Sequence, residues 1–317
     1  MNRLINLHRK RIEKMTAMQL KESIWRSEGR VVLSQNFVGM PPLCMGVTNP
    51  ELAQAMGADM IMFNGYSTDE NAQLPGLSMM ALDENGNLGF NTKRLPEMRE
   101  FIDIPMGVYL ECGDGGFVDK IFPIKYRKPD AENLEKLIQE KSTFIVLGGN
   151  PGTGVTYDSV LKATKETKAI VGDRMLIFAG KWEDGADEPV LGDPIRPMKF
   201  YKDLIAEFID AGTDVIAMSM PGSRWGINVE DNRELIAFAH NYKRGTLVMS
   251  FLDGTIEGAD VETVRECALL SKQTGADIHA IGDAGLNGIA IPENIYQLSI
   301  TIKGRAKTWE RMAISRR

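Results

Sequence analysis

The residues able to exchange protons or form covalent intermediates in this 317-residue chain fall just after short apolar runs. Glu111 closes "VYLE", Lys181 follows "IFAG", Asp253 closes "SFLD" and Asp283 closes "AIGD". Carboxylates at such positions can serve as general acid and base or hold Mg²⁺ through oxygen. Glu111, Asp253 and Asp283 are candidates for both roles; the plainer alternative is that each accepts N–H bonds within its own loop. Lys181 is a candidate Schiff-base former or base once burial lowers its pKa. Its alternative is a buried lysine neutralised by a neighbouring carboxylate. Arg224, in "PGSRWG", could grip an anion with its planar fork, or stand on the surface as an ordinary arginine.

Glycine gathers beside two of these carboxylates, in "DGTIEG" at 253–258 and "GDAGLNG" at 282–288. Backbone amides freed of side chains, next to a helix start, can face an anion. Gly254, Thr255, Gly282, Ala284, Gly285 and Gly288 are the candidate phosphate-binding positions, with Asn64 and Asn150 as further substrate contacts. Tight turns needing positive φ are the competing explanation.

Something must hold these positions together. Eight apolar runs, 31–38, 59–65, 104–111, 143–149, 174–180, 214–220, 246–252 and 277–282, alternate with eight amphipathic stretches. Runs this apolar suit strands buried on both faces. Strict alternation predicts an α/β chain closed as a (β/α)₈ TIM barrel; an open doubly wound sheet is the rival. The expected organisation is a helical extension over 1–30, with one helix at 5–28, and a single barrel domain over 31–317 ending in a helical tail. The polar segment 66–93 reads as a lid or a β-hairpin, and Asn49 reads as the cap of the helix that begins at Pro50. The fragments "GADMIMF", "GTDVIAM" and "GADIHAI" repeat a glycine and an aspartate before a strand. Asp59, Asp214 and Asp277 are therefore expected to be structural, because barrels carry their chemistry at the opposite strand ends.

Composition excludes several classes. A net charge of −6 gives no basic footprint for nucleic acid. No apolar run is long enough to span a membrane, and the basic N-terminus lacks the apolar core of a signal peptide. Three unpaired cysteines, Cys44, Cys112 and Cys267, fit a reducing compartment, so a cytoplasmic location is expected. His8, His240 and His279 do not make a zinc site, and no GxSxG or GxGxxG is present. "GGNPGTGVT" has Val155 where a phosphate loop needs lysine. "SFLDGTIEG" is similar to the first motif of haloacid-dehalogenase-type hydrolases, but Phe251 stands where their nucleophilic aspartate would be.

The two glycine-rich loops resemble those of the ribulose-phosphate-binding barrels. Through "MGADMIMFNGYS", "VLGGNPGTGVT", "FAGKWEDG" and "IGDAGLNGIAIPENI", most of the chain resembles an uncharacterised family of bacterial TIM-barrel proteins. The expected function is an enzyme acting on a small phosphorylated or anionic metabolite, by a lyase, aldolase or isomerase step that abstracts a proton beside a carbonyl. A metal-dependent hydrolase and a non-catalytic binding barrel are the alternatives. No cofactor is required by this reading; Mg²⁺ on Glu111, Asp253 and Asp283 is the one candidate. Neither nucleic acid nor a membrane is an expected partner, and a homo-oligomer is left open.

Overall fold

The eight expected strands close into one parallel barrel in the computed structural model, which describes residues 2–82, 85–116, 119 and 123–313. The barrel strands are β1 (Val31–Phe37), β2 (Met60–Asn64), β5 (Met106–Glu111), β6 (Phe144–Gly148), β7 (Leu176–Gly180), β8 (Val215–Ser219), β9 (Leu247–Leu252) and β10 (Ile278–Ile281). Neighbours follow chain order around the ring, and β10 pairs back to β1 through Val31 and Ile278. The remaining strands, β3 (Ser78–Leu82) and β4 (Leu88–Thr92), form an antiparallel hairpin inside the 66–93 segment.

Side chains alternate between two apolar layers, as strand geometry requires. Leu33, Met62, Tyr109, Phe144, Phe178 and Phe251 fill the interior. Their neighbours Val32, Ile61, Val108, Ile145 and Ile177 face the helices outside. Those helices are α3 (Asn49–Ala55), α4 (Leu95–Met98), α5 (Ala131–Gln139), α6 (Tyr157–Val171), α7 (Met198–Asp210), α8 (Val229–Tyr242), α9 (Val261–Thr274) and α10 (Pro292–Met312). The cap of α3 is Thr48, which makes a capping box with Glu51, and not Asn49. Asn49 is the first helical residue, and its amide instead donates to the Asn287 carbonyl at 2.7 Å. The helix α4 is a single turn.

The expected helix at 5–28 is broken in two: α1 (Arg9–Ile12) and α2 (Ala17–Trp25). The break has a local cause. Thr16 and Gln19 form a capping box, so a new helix starts there. Leu4, Ile5, Leu20 and Ile24 from this segment join the barrel's interior apolar layer and close its N-terminal end.

At that end the three repeated aspartates do one job three times. The Asp59 N–H donates to the Val32 carbonyl, and its carboxylate accepts the Val32 N–H. Asp214 does the same with Ile177, and Asp277 with Val248. Each stitches its strand to a neighbour and carries a cationic or imidazole partner. Lys21 meets Asp214 at 2.7 Å, His240 meets Asp277 at 2.9 Å, and Lys303 and Arg311 meet Asp59 at 2.5 and 2.9 Å. Among the described residues, no helix is long and apolar enough to cross a membrane.

Candidate active site

The opposite end of the barrel is polar and dry. Its floor is aromatic: Trp182 stacks on Phe251 and meets Tyr109 edge-on at 5.8 Å. Counting by twos along β7 from Leu176 and Phe178 brings Gly180 and Trp182 inward. Glycine at 148 leaves room for the indole, since a Cβ there would stand 2.9 Å from the ring. The gap bounded by Tyr109, Gly148, Gly149, Gly180, Trp182 and Glu183 has no room for a water molecule.

Carboxylates stand over this floor. Glu183 accepts the Trp182 indole N–H at 3.0 Å and is buried. Burial, then the charges of Asp253, Glu111 and Asp283, push its carboxyl well above the usual range. Asp253, at the end of β9, is also buried; desolvation outweighs the nearby Arg224, and its pKa rises to about 7. Arg224 Nε lies 3.4 Å from Asp253 Oδ1, an ion pair whose angles do not complete a hydrogen bond, so both atoms lack a hydrogen-bond partner among the described residues. Asp283 accepts from the Gln35 amide at 3.0 Å, and burial raises its pKa despite that bond. Gln35 Oε1, the Tyr109 hydroxyl and Glu257 Oε2 are likewise buried without hydrogen-bond partners. Buried polar groups are nearly always paired, so this concentration of unpaired atoms marks a site.

Several expected roles change. Lys181 points outward, between the inward Gly180 and Trp182, and its ammonium donates to the carbonyls of Glu183, Asp184 and Glu188. All three of its hydrogens are used on its own loop. Lys181 is therefore a clamp shaping the segment that carries Glu183, not a base facing the mouth, although burial lowers its pKa. Glu111 is also committed: the Asn150 side-chain amide and backbone N–H both bind it, and Arg127 lies 3.7 Å away. Asn150 in turn exchanges amide hydrogen bonds with Asn64 at 2.9 and 3.0 Å. Asn64, Asn150 and Glu111 thus make an internally satisfied chain across β2, β5 and β6.

The glycine-rich loops do cradle an anion, but the anion is the protein's own Glu257. Its carboxylate takes the Ala284 N–H at 2.9 Å, and the backbone of Glu257 and Thr255 favours its charged form against the burial that raises its pKa. A Cβ on Gly282 would stand 2.6 Å from Glu257 Oε1, which explains glycine there. Glu257 interacts with Asp283, and Asp253 with Glu257, so it lies electrostatically between the two. A phosphate at Gly254, Thr255, Gly282, Ala284 and Gly285 would displace a carboxylate and meet two more; Gly288 is occupied on its carbonyl side by the Phe37 N–H. Thr255 and Ala284 adopt positive φ of 76° and 58° despite their side chains, which is the tight-turn explanation. Nor do Glu111, Asp253 and Asp283 gather as metal ligands: among the described residues, no three His, Cys, Asp or Glu side chains form a group able to hold a metal ion.

Glu183, Glu257, Tyr109 and Gln35 were not among the expected site residues. Strand parity was available as a signal for Tyr109 and Gln35. Glu257 sits in the quoted "DGTIEG" with nothing local to single it out.

A closed parallel ring of eight strands alternating with helices defines a (β/α)₈ TIM barrel, and the group of unpaired atoms on Gln35, Tyr109, Arg224, Asp253 and Glu257 lies where this class carries chemistry. The chain belongs to the family described as Domain of unknown function (DUF7916), which matches residues 5–317. No curated protein matches it. Among solved structures, it is similar to the carboxyl transferase domain of Rhizobium etli pyruvate carboxylase, with 12% identity, a TM-score of 0.55, and coverage of 97% of this chain and 52% of that one. The same domain with 3-hydroxypyruvate gives 12% identity, a TM-score of 0.54 and the same coverage. The complete multifunctional Rhizobium etli enzyme gives 12% identity and a TM-score of 0.55, over 97% of this chain and 30% of that one. The chain thus spans about half of the isolated domain and under a third of the complete enzyme. At this identity the likeness concerns the fold.

Proposed function

We propose that the protein is an enzyme of the lyase, aldolase or isomerase type that moves a proton beside the carbonyl of a small anionic metabolite, using carboxylates alone. One observation carries this reading: two buried carboxyl groups share the mouth, and burial pushes Asp253 up to about 7 and Glu183 well above the usual carboxylate range. Two carboxyl groups pushed to different pKa values can divide the roles of base and acid.

In this mechanism ionised Asp253 takes the proton from the carbon next to the carbonyl. The C–H electron pair moves into the new C=C bond, and negative charge collects on the carbonyl oxygen. Neutral Glu183 donates a hydrogen bond, and then a proton, to that oxygen. Arg224, partly exposed and ion-paired with Asp253 through Nε, holds the substrate's anionic group at the rim. The dry floor strengthens each of these interactions.

The test is proton exchange into D₂O, followed by NMR, across a panel of 2-oxo acids, hydroxy acids and sugar phosphates. Exchange into at least one compound, with an activity limb near pH 7 and a loss of about 10²-fold or more in Asp253→Asn, is expected. Lys181→Met should retain the chemistry in whatever fraction folds. No exchange into any compound, or full exchange in Asp253→Asn, would overturn the proposal.

A further inference from the structure

A second cavity lies at the other end of the molecule, where nothing in the proposed chemistry reaches. It occupies about 420 Å³ between the α1–α2 junction and the loops that enter β5, β6 and β7. That volume falls in the range of small-molecule sites. Its wall is divided by chemistry. Ile12, Met15, Ile138 and Met175 supply an apolar side, and Arg99 and Lys141 supply a cationic one.

Among the described residues no carboxylate makes a hydrogen bond or salt bridge to these two cations, although the charge of Glu13 acts on Arg99. Arg99 donates one guanidinium N–H to the Lys141 carbonyl, but its Nε is buried with no hydrogen-bond partner among the described residues. An unpaired buried N–H on a charged group is costly. The Lys141 ammonium makes no hydrogen bond or ion pair among the described residues. Glu13 also lines the cavity, but it is paired with Arg9 at 2.6 Å. Arg174, at the edge, is held by Glu135 and by backbone carbonyls. The open valences of the cavity are thus cationic donors beside an apolar wall.

We propose that this cavity binds a small monocarboxylate with a short unbranched aliphatic chain, its carboxylate on Arg99 and Lys141 and its chain against Ile12, Met15, Ile138 and Met175. Such a ligand bridges the N-terminal segment to the barrel, so its binding strengthens the closure of the barrel's lower end. The site lies at the opposite end of the barrel from the carboxylate-rich mouth and shares none of its residues.

Calorimetric titration of the full chain with the straight-chain acids from butanoate to octanoate tests this, with the matching primary amides as uncharged controls. Saturable binding of the acids and none of the amides is expected, with affinity falling about tenfold or more in Arg99→Met, the cost of one charge-assisted hydrogen bond. Asp253→Asn should bind as the parent does, which assigns the heat to this cavity. If Arg99→Met does not fold, Lys141→Gln, at an exposed position, must weaken binding in its place. No saturable binding of any acid, equal binding of acids and amides, or binding unchanged in both cavity variants would overturn the proposal.

Discussion

The aspartates at the two ends of the barrel are chemically identical and physically opposite. At the N-terminal end Asp59, Asp214 and Asp277 each hold a backbone N–H and a side-chain partner, so the ionised form is fully served. At the C-terminal end Asp253 and Glu257 keep buried oxygens with no hydrogen-bond partner, and burial raises the pKa of both. Carboxylates that are paired add to stability. Carboxylates left short of partners cost stability and gain reactivity, and folds keep such groups where they function.

The largest expected effect breaks the first half of this contrast. Asp59→Ala removes the partner of both Lys303 and Arg311, which are buried, and leaves two uncompensated cations. A loss of about 3–5 kcal/mol is expected, read as a fall in the denaturation midpoint. If stability is unchanged, the lower aspartates are not the staples described.

Asp253→Asn should act in the other sense. The pKa of Asp253 is pushed up to about 7 in the folded protein from the ordinary 3.8, so between those pH values the folded protein holds the extra proton. Stability contributed by this group therefore falls as pH rises from about 4 to 7, by roughly 4 kcal/mol at most. The asparagine variant loses that fall. Denaturant titrations at pH 5 and 8 should show it gaining on the parent at the higher pH; an equal difference at both would contradict the buried, neutral aspartate.

His279 sharpens the comparison because its slope has the opposite sign. The ring is buried between Ser271 and the Gly29 carbonyl, and burial lowers its pKa from 6.5 to about 4. Below pH 6.5 the unfolded chain gains a proton that the folded chain refuses, so this stability is lost as pH falls toward 4. The effect is about 3 kcal/mol. In the parent this slope is opposed by that of Asp253 and by those of Glu183, Glu257 and Asp283, whose pKa values burial also raises. Asp253→Asn removes one opposing slope, so the variant should be more acid-sensitive than the parent. Equal acid sensitivity of the two proteins would contradict the opposed slopes.

The smallest effect belongs to Lys21→Met, which cuts the partly exposed pair with Asp214. About 1 kcal/mol or less is expected, since solvent already screens the pair. A loss as large as that of Asp59→Ala would mean the three lower aspartates are not graded by burial.

The barrel was legible because strand and helix periods are local properties. Even the boundaries of β1 and β9 fall within a residue of the expected runs. The repeated aspartates were also legible, because each acts on the adjacent strand at a fixed offset. The candidate site was legible only as a region. Lys181 was misjudged although parity held the answer: with Phe178 and Trp182 inward, residue 181 faces out. Glu257 could not be found this way, since its partner Ala284 is 27 residues on and the contact exists only after β9 and β10 pair. The loops' glycines show in the sequence where amides are bare, but not that the Glu257 carboxylate reaches the Ala284 N–H.

The guanidinium of Arg311 donates to the carbonyls of Leu4 and Leu7 as well as to Asp59. The residues that seal the lower end of the barrel and their fastener are thus 307 residues apart along the chain. Domains otherwise gain structure as they are synthesised. Here the apolar turn around Leu4 and Ile5 has to wait, unfastened, until the chain has been made as far as Arg311. The nascent chain therefore passes through a long stage with an open-bottomed barrel, and that stage is where a chaperone would find it.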